Sequence, residues 1–542
     1  MESITFAFKK INLLSDAQIK VLVAVFGALL FMPFLGQVHL FDWDEINFAE
    51  SAREMLLTND FLRVQINFEP FWEKPPLFFW LQAISMKLFG INEFAARFPN
   101  ALVGVGTFVA LYHIGNQLFN RKFALLWVLA YAGTFLPHLY FKSGIIDPLF
   151  NLLIFLAIYQ LHQAFSIVKN AKAILWAGLF IGLALLTKGP VALLVSGLVA
   201  VLFLVLKWEL NWKNIAYLLL FSIAALIVAS LWFGLETWQN GSWFLQTFFD
   251  YNLRLMKTED SGHGQPVYYH PIVLFIGCVP TSILCLRMLV RNKDVGENSF
   301  ALIMQLLFWV VLVIFSLVKT KIVHYSSLCY FPITFLAVFY VFRYRIENWQ
   351  KVLISIMAVL IGLAFVALPF FVKNVNYFLP FINDVFAREN LKADVYWSGF
   401  EAVVGFILIL SSIYGLWFIK NSFHQLCIVF FGIIISFQLA LYWIVPKIET
   451  HVQGAMIDFL ISTQKEDCYV KAIGFKSYAQ YFYTNRKPNY NAAMDDETRL
   501  VYGKIDKPAY LITKCDRDSY RLIPQLEVVM EKNGWVVYKR KP

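Results

Sequence analysis

Long apolar runs constrain this chain more than any other feature, because the charged residues are confined to the short stretches between them. Hydrophobic residues make up 59% of the chain and charged residues only 15%. A helix needs about 20 mainly apolar residues to cross a bilayer, and each run approaches or exceeds that length. Such runs exclude an ordinary soluble protein, and also an outer-membrane barrel, whose segments are short and alternate in polarity. The sequence therefore predicts an all-α polytopic membrane protein.

The runs divide into thirteen predicted membrane spans, which together form a domain over residues 1–445. The run 171–207 is long enough to cross twice and is interrupted at Lys188-Gly189-Pro190, so it is read as two spans. The predicted spans lie near 19–40, 96–118, 122–140, 144–165, 171–187, 189–207, 213–235, 268–290, 299–318, 322–342, 349–372, 400–420 and 423–445.

The formal net charge of +10 is explained by the distribution of lysine and arginine between the spans. Cytoplasmic loops of membrane proteins are enriched in these residues. With a cytoplasmic N-terminus, every predicted inner loop carries at least one of them. The charge therefore sets the topology of a multi-pass protein in a bacterial inner membrane and predicts no nucleic-acid partner. The same topology places the loop 41–95 and the tail 446–542 on the outer, periplasmic face.

Both outer regions show local patterns of regular structure. In the loop, apolar spacing predicts a helix over 45–57, and a second helix over 77–89 follows two prolines and is expected to lie on the membrane surface. The tail shows strand patterns near 468–475, 509–513 and 535–538 and a short helix near 477–484, which predicts a small α/β domain over 446–542. Cys468 and Cys515 lie in this tail, where they are equally compatible with a disulfide and with two free thiols.

Polar residues from five segments that are far apart in sequence are all directed to the outer face by this topology. Acids and cations that meet at the mouth of a lipid-facing bundle suit one chemistry, in which a carboxylate accepts a proton from an acceptor hydroxyl while cations hold a phosphate leaving group. The residues are Asp44, Glu45, Glu73, Lys74, Lys142, Asp147, Lys188, Arg254, His263, Lys319, Lys321, His324 and Tyr325.

Six motifs occur in order along residues 20–345, namely DE-x-x-F-A-E from Asp44, WEKPPL from Trp72, RFPNAL from Arg97, IIDPL around Asp147, LTKGPVALL from Leu186 and K-x-x-HY ending at Tyr325. In these motifs the chain resembles the GT-C glycosyltransferases of the family 39 type. It is similar to the bacterial lipid A aminoarabinose transferases and, more distantly, to the protein O-mannosyltransferases. Residues 346–542 match only in layout.

The resemblance assigns roles residue by residue. Asp44 matches the catalytic acidic residue, which acts as the base. Asp147 matches a second acidic position, which binds the sugar or orients the acceptor, and Glu45 is either a helper in catalysis or an interfacial carboxylate. The residues that match basic or polar positions near the phosphate of the donor are Lys74, Arg254, His324 and Tyr325. Lys188 is a cation at a helix break, which is equally compatible with binding the phosphate and with neutralising a nearby carboxylate.

The resemblance also implies one divalent metal ion, whether zinc, magnesium or manganese. Glu73 matches a metal-binding position, and His263 is the candidate for its partner. No nucleotide is expected, because the chain holds no nucleotide-binding loop. Where related sequences have D-E-x-R-Y-A, this chain has Asn47 and Phe48, a departure that leaves the sugar open.

The predicted function is therefore inverting transfer of a sugar from polyprenyl phosphate, most simply undecaprenyl phosphate, to a hydroxyl or phosphate acceptor. The acceptor is lipid A, another glycolipid or a protein. A transporter or flippase of lipid-linked sugars is the alternative, and it predicts pseudo-symmetric halves with helices broken at the midplane. A structural membrane protein is a third class, for which the ordered motifs would be coincidental.

Overall fold

A computed structural model describes residues 13–167, 170–258, 264–290 and 292–542. Most of these residues are helical. The helices of the first half are α1 Asp16–Phe31, α2 Asp44–Thr58, α3 Leu77–Phe89, α4 Glu93–Leu118, α5 Arg121–Ala132, α6 Phe135–Tyr140, α7 Asp147–His162, α8 Ala171–Leu185, α9 Val191–Leu206, α10 Trp212–Asn240 and α11 Trp243–Lys257.

The second half continues with shorter and longer helices in alternation. They are α12 Tyr269–Gly277, α13 Thr281–Leu289, α14 Lys293–Glu297, α15 Ser299–Leu317, α16 Tyr330–Val341, α17 Asn348–Lys373, α18 Val385–Leu391, α19 Val403–Phe418, α20 Ser422–Trp443, α21 Val445–Glu449, α22 Ala455–Ser462, α23 Ala479–Phe482 and α24 Glu497–Tyr502. A 3₁₀ segment, Val323–Cys329, leads directly into α16.

Asparagine side chains start several of the membrane helices. The side chains of Asn92, Asn120, Asn170 and Asn211 each accept a hydrogen bond from the backbone N–H three residues further on, at the starts of α4, α5, α8 and α10. A short polar side chain at this position satisfies a backbone donor that has no partner within the helix. These caps define where each apolar run begins.

The predicted all-α membrane architecture is confirmed, although not every span is one continuous helix. Within the described residues, eight helical segments are long and apolar enough to cross a membrane, and three further apolar helices are shorter. The predicted span 268–290 is divided between α12 and α13, because Pro280 has no backbone N–H to continue the helix. The first helix ends at Phe31, not at residue 40, since Pro33 disfavours helical backbone just before it.

The predicted break after α8 is also confirmed. The chain turns between Leu185 and Val191, with Gly189 at φ +114°, a backbone conformation that side chains rarely adopt. The Phe248 ring of α11 packs so closely against Gly189 that an added Cβ would lie 2.5 Å from it. This turn fixes the position of Lys188.

The loop 41–95 contains both predicted helices, α2 and α3, joined through a two-stranded ribbon of β1 Gln65–Ile66 and β2 Glu69–Pro70. Helix α2 is buried on nearly all sides. Helix α3 buries Phe78 and Phe79 on one face and exposes Ile84, Leu88 and Phe89 on the other. An exposed apolar face beside membrane helices agrees with the predicted position on the membrane surface.

The C-terminal residues form a four-stranded sheet in the order β3-β4-β6-β5, with β3 Tyr469–Ala472, β4 Ala509–Lys514, β5 Glu527–Lys532 and β6 Trp535–Arg540. Strands β3 and β4 pair in parallel and the other pairs are antiparallel. Three strands match the predicted ones. Strand β5 gave no sequence signal, because it is an edge strand whose residues are mostly exposed. Cys468 and Cys515 are free thiols.

This sheet packs against the loop 41–95. One buried apolar cluster joins Ile46 of α2 and Ala83 of α3 to Tyr478, Tyr483 and Trp535 of the C-terminal unit, which we define as residues 455–542. The predicted domain boundary between residues 445 and 446 falls at the start of α21. Whether 446–542 is a domain in its own right stays a prediction.

Candidate active site

A cavity of about 730 Å³ lies between the loop 41–95, the membrane helices and the C-terminal unit. All nine residues that were given a role and that the structure describes line it, whereas Lys319 and Lys321 do not. The nine are Asp44, Glu45, Glu73, Lys74, Asp147, Lys188, Arg254, His324 and Tyr325. His263 lies outside the described residues. Segments up to 281 residues apart are thus brought to one place, as the predicted topology requires.

Three of the acidic residues of the cavity lie at the starts of helices. Asp44 and Glu45 begin α2, and Asp147 begins α7. The amide of Asn151 on α7 donates to the Ser327 hydroxyl over 2.7 Å, which holds the 3₁₀ segment of His324 against α7. Acidic side chains are favourable in the first turn of a helix, where the backbone N–H groups point toward them.

Two residues of the RFPNAL motif connect the segments that carry Glu45 and Asp147. The Arg97 guanidinium forms two hydrogen bonds of 2.8 and 2.9 Å with the Glu45 carboxylate. The Asn100 amide donates to the carbonyl oxygens of Ser143 and Ile145, both over 2.6 Å, in the turn that precedes Asp147. One turn of α4 therefore positions both acidic segments.

Asp44, His324, Asp147 and Lys188 form a continuous polar chain. The Nε2 atom of His324 lies 3.4 Å from Asp44 Oδ2 and 3.8 Å from Asp147 Oδ2. Lys188 Nζ pairs with Asp147 Oδ1 over 2.5 Å. The Asp147 side chain is only 4% exposed, whereas that of Asp44 is 29% exposed. Of the two carboxylates, Asp44 is therefore the one that a molecule in the cavity can reach.

Glu45 is occupied on all sides. Besides Arg97, its carboxylate accepts hydrogen bonds from the backbone N–H groups of Phe41, over 2.9 Å, and Gly144, over 2.6 Å. Burial alone would raise the pKa of Glu45, but Arg97 and the two amides hold that pKa below its ordinary value. These contacts suit a residue that positions Asp44.

The predicted phosphate-binding cations converge on aromatic rings. Lys74 Nζ lies 3.4 Å from the Tyr251 hydroxyl and 4.8 Å from the centre of its ring, and the Arg254 guanidinium lies 5.4 Å from the same ring. Lys188 Nζ lies 4.8 Å from the Tyr325 ring. The Leu77 amide donates to the Leu186 carbonyl over 3.0 Å, so the WEKPPL and LTKGP motifs are directly linked.

The sequence analysis gave no role to four other residues that line the cavity, Asp42, Lys142, Tyr251 and Lys476. Tyr251 precedes Arg254 by three residues, so helical spacing offered a signal for it. Lys142 donates to the Pro33 carbonyl over 2.8 Å. Lys476 comes from the C-terminal unit, where no motif marks it.

The predicted metal site receives little support from the residues described. No group of three or more His, Cys, Asp or Glu side chains among them could hold a metal ion. Glu73 supplies one carboxylate, and the Lys74 ammonium lies 4.0 Å from it, where it would repel a cation. Since metal sites usually need three or four protein ligands, no step proposed below uses a metal. The Glu73–His263 pair stays a prediction.

Comparison with known proteins agrees with the motifs. Residues 73–233 match the family described as dolichyl-phosphate-mannose-protein mannosyltransferase. The chain is 28% identical over 329 residues to the undecaprenyl phosphate-alpha-4-amino-4-deoxy-L-arabinose arabinosyl transferase of Shewanella sediminis, covering 59% of each chain. It is 30% identical to an uncharacterized protein of Aquifex aeolicus, covering 54% of this chain and 66% of that one. The chain thus spans about three fifths of the length of the curated relatives it matches.

A solved structure extends the match to nearly the whole chain. The crystal structure of ArnT from Cupriavidus metallidurans bound to undecaprenyl phosphate superposes with a TM-score of 0.79, covering 97% of this chain and 98% of that one. At 18% identity, this likeness shows the fold alone. The resemblance inferred from the six motifs is therefore confirmed: this chain has the GT-C fold and is similar to glycosyltransferases of the family 39 type.

Proposed function

We propose that this chain is an integral membrane glycosyltransferase that moves a sugar from a polyprenyl-phosphate donor to a hydroxyl or phosphate on a glycolipid or protein. The observation that carries the proposal is the cavity itself, in which a reachable carboxylate, Asp44, shares one space with Lys74, Lys188 and Arg254. A lipid-linked donor suits the location, because the lipid chain stays between apolar helices while the head group enters the cavity. The relatives suggest undecaprenyl phosphate as the lipid and a bacterial inner membrane as the location.

The proposed reaction is a direct displacement with inversion. Asp44 accepts the proton of the acceptor hydroxyl, and the acceptor oxygen forms a bond to the anomeric carbon of the sugar. The bond from that carbon to the phosphate oxygen breaks, and its electron pair leaves with the polyprenyl phosphate. Cations placed at the oxygen that gains charge lower the barrier most effectively in a site that excludes water.

Four further cavity residues have a place in this reaction. Lys74 and Arg254, gathered at Tyr251, bind the phosphate; Arg254 offers a planar fork of donors. Lys188 spends one of its three N–H donors on Asp147 and can direct the others to the phosphate. His324 lies between Asp44 and Asp147 and orients the base.

The proposal is tested by mass spectrometry of lipids and surface glycans from the host with wild type, a deletion, Asp44→Asn or the control Asp394→Asn. Asp394 is an exposed aspartate remote in sequence from the site residues. In the deletion and in Asp44→Asn, we expect one lipid-linked sugar to accumulate and one glycan to lose the same mass. Loss of a general base lowers the rate about a hundredfold or more.

The control strain should match wild type. If the deletion changes the lipids but Asp44→Asn matches wild type, Asp44 is not the base and a transporter of lipid-linked sugars becomes the better description. If the deletion changes neither lipids nor glycans, the transferase proposal fails.

A further inference from the structure

A loop of the C-terminal unit brings a lysine into the candidate active site. Residues 473–478 connect β3 to α23, and Lys476 from this loop lines the cavity with its side chain exposed. Its ammonium lies 4.7 Å from the centre of the Trp43 ring and 5.4 Å from that of Tyr478. An ammonium near the faces of two aromatic rings is attracted by both.

The loop is fastened to the backbone segment that carries Asp44. The Asp42 carboxylate accepts hydrogen bonds from the Ser477 hydroxyl and from the Tyr478 N–H, the latter over 3.4 Å. The rings of Trp43 and Tyr478 meet edge to face with their centres 5.3 Å apart. Both partners in the loop 41–95 directly precede Asp44, so Lys476 is held beside the proposed base.

The charge of Lys476 is not neutralised by a neighbouring acid. Lys188 pairs with Asp147 over 2.5 Å and Lys74 approaches Glu73 at 4.0 Å. In the part of the chain that the structure describes, no carboxylate lies within ion-pair distance of Lys476, and the nearby Asp42 is engaged by the loop itself. An exposed ammonium in this setting is ready to bind an anion.

The position of Lys476 beside the proposed base favours a role in binding the acceptor. In an inverting displacement the acceptor oxygen and the leaving phosphate lie on opposite sides of the anomeric carbon. The base faces the acceptor, and Lys476 lies on Trp43, the residue next to that base. Lys74 lies instead at Tyr251.

We propose that Lys476 is an acceptor-binding residue that pairs with an anionic group, a phosphate or a carboxylate, on the molecule that receives the sugar. This inference rests on the proposed transferase function. It assigns to the C-terminal unit a direct part in choosing the acceptor, and it makes the acceptor an anionic glycolipid or protein.

Two measurements on the purified full chain test it. Binding of undecaprenyl phosphate, followed by tryptophan fluorescence, should be unchanged in Lys476→Ala and weakened in Lys74→Ala. Sugar transfer is then measured with lipid-linked donor purified from the deletion strain and a total membrane extract of that strain as acceptor. We expect Lys476→Ala to lower transfer about tenfold or more and Lys476→Arg to restore most of it. Lys487→Ala, an exposed lysine of the same unit, is the matched control.

Treatment of the acceptor extract separates the sources of the anion. If the group is a phosphate ester, phosphatase treatment should reduce wild-type transfer to the level of Lys476→Ala without lowering the variant further. If it is a carboxylate, methyl esterification should do so. Wild-type rates in Lys476→Ala, or equal loss of undecaprenyl phosphate binding in Lys476→Ala and Lys74→Ala, would overturn the inference alone. Failure of wild type to transfer any sugar would overturn the proposed function, and this inference with it.

Discussion

Two adjacent carboxylates show how far single residues differ in this site. Asp44 is partly exposed to the cavity, whereas Glu45 is buried in an ion pair with Arg97 and two backbone hydrogen bonds. The sequence placed both in the site, but it could not separate their roles, because neighbouring residues of a helix point about 100° apart. Only the packing of α4 against this segment decides which carboxylate faces the cavity.

Lys142 illustrates how the cavity changes a single charge. Burial lowers the pKa of its ammonium from 10.5 to about 7. Below that pH the folded protein carries a buried charge at a cost, and between about 7 and 10.5 the unfolded chain binds a proton that the folded one has released. The contribution of Lys142 to stability therefore improves as pH rises through this window.

Lys142→Met should accordingly gain stability relative to wild type most clearly at pH 6, and the difference should shrink by pH 9. The measurement is the difference in Tm between variant and wild type in detergent at several pH values. Lys487→Met, at an exposed lysine, should show no such trend. A difference for Lys142→Met that stays constant from pH 6 to 9 would contradict this prediction.

At the scale of elements, α2 is the helix on which the site depends. Apolar spacing predicted it within one residue at each end. The spacing did not show that its polar face is buried as well. The Arg53 guanidinium binds the Glu50 carboxylate through hydrogen bonds of 2.6 and 2.7 Å and donates to the Arg486 carbonyl over 2.8 Å. That face is covered by a segment 433 residues further along the sequence. A local sequence pattern cannot predict a contact over such a separation.

Glu50 and Glu54, two of the three buried glutamates of α2, should respond differently to the same substitution. Burial and the neighbouring Glu50 carboxylate raise the pKa of Glu54 well above its usual range, so Glu54 is protonated at neutral pH. The two side-chain oxygens of Glu54 accept hydrogen bonds from the backbone N–H groups of Asn67, over 2.6 Å, and Phe68, over 2.8 Å. Glu54→Gln keeps only one of these acceptors and should cost about 1–3 kcal/mol at pH 7. Glu50→Gln leaves the Arg53 charge buried without its partner and should cost about 3–5 kcal/mol.

Thermal unfolding of both variants at pH 7 checks this contrast. Equal losses of stability, or a larger loss for Glu54→Gln, would show that the negative charge of the cluster lies on Glu54. Wild type and the exposed-site variant Asp394→Asn define the range of unaffected Tm values.

For the molecule as a whole, the sequence predicted the membrane helices, three of four C-terminal strands and a common location for the site residues. The length of the apolar runs predicts the helices, and the order of the motifs predicts that the site residues lie together. The sequence did not predict that the C-terminal unit contributes Lys476 to the cavity. The contact between Trp43 and Lys476 produces no periodic pattern in the sequence of either segment, so no local signal could reveal it. The unit was predicted as a small α/β domain on the outer face, and it shares a buried cluster with α2 and α3.

This shared cluster predicts that residues 467–542, which hold the four-stranded sheet, stay attached after the chain is cut. A protease site inserted after Glu466, in an exposed stretch before β3, should yield two fragments that co-purify in mild detergent and retain most of the transfer activity. The fragments should stay associated because apolar surface is buried between them. Trp535→Ala, which removes a large side chain from the cluster, should weaken the association. Release of the fragment from the cut wild-type chain would contradict the prediction.

At its predicted position on the membrane surface, the exposed apolar face of α3, with Ile84, Leu88 and Phe89, would hold the cavity at a fixed depth beside the lipid. A donor that never leaves the bilayer then finds the site by diffusion in two dimensions. The concentration of donor that the enzyme meets is the mole fraction of donor among the surrounding lipids. The volume of the buffer does not affect this concentration. Diluting a vesicle suspension would leave the rate per enzyme unchanged, whereas adding inert lipid to the same vesicles would lower it.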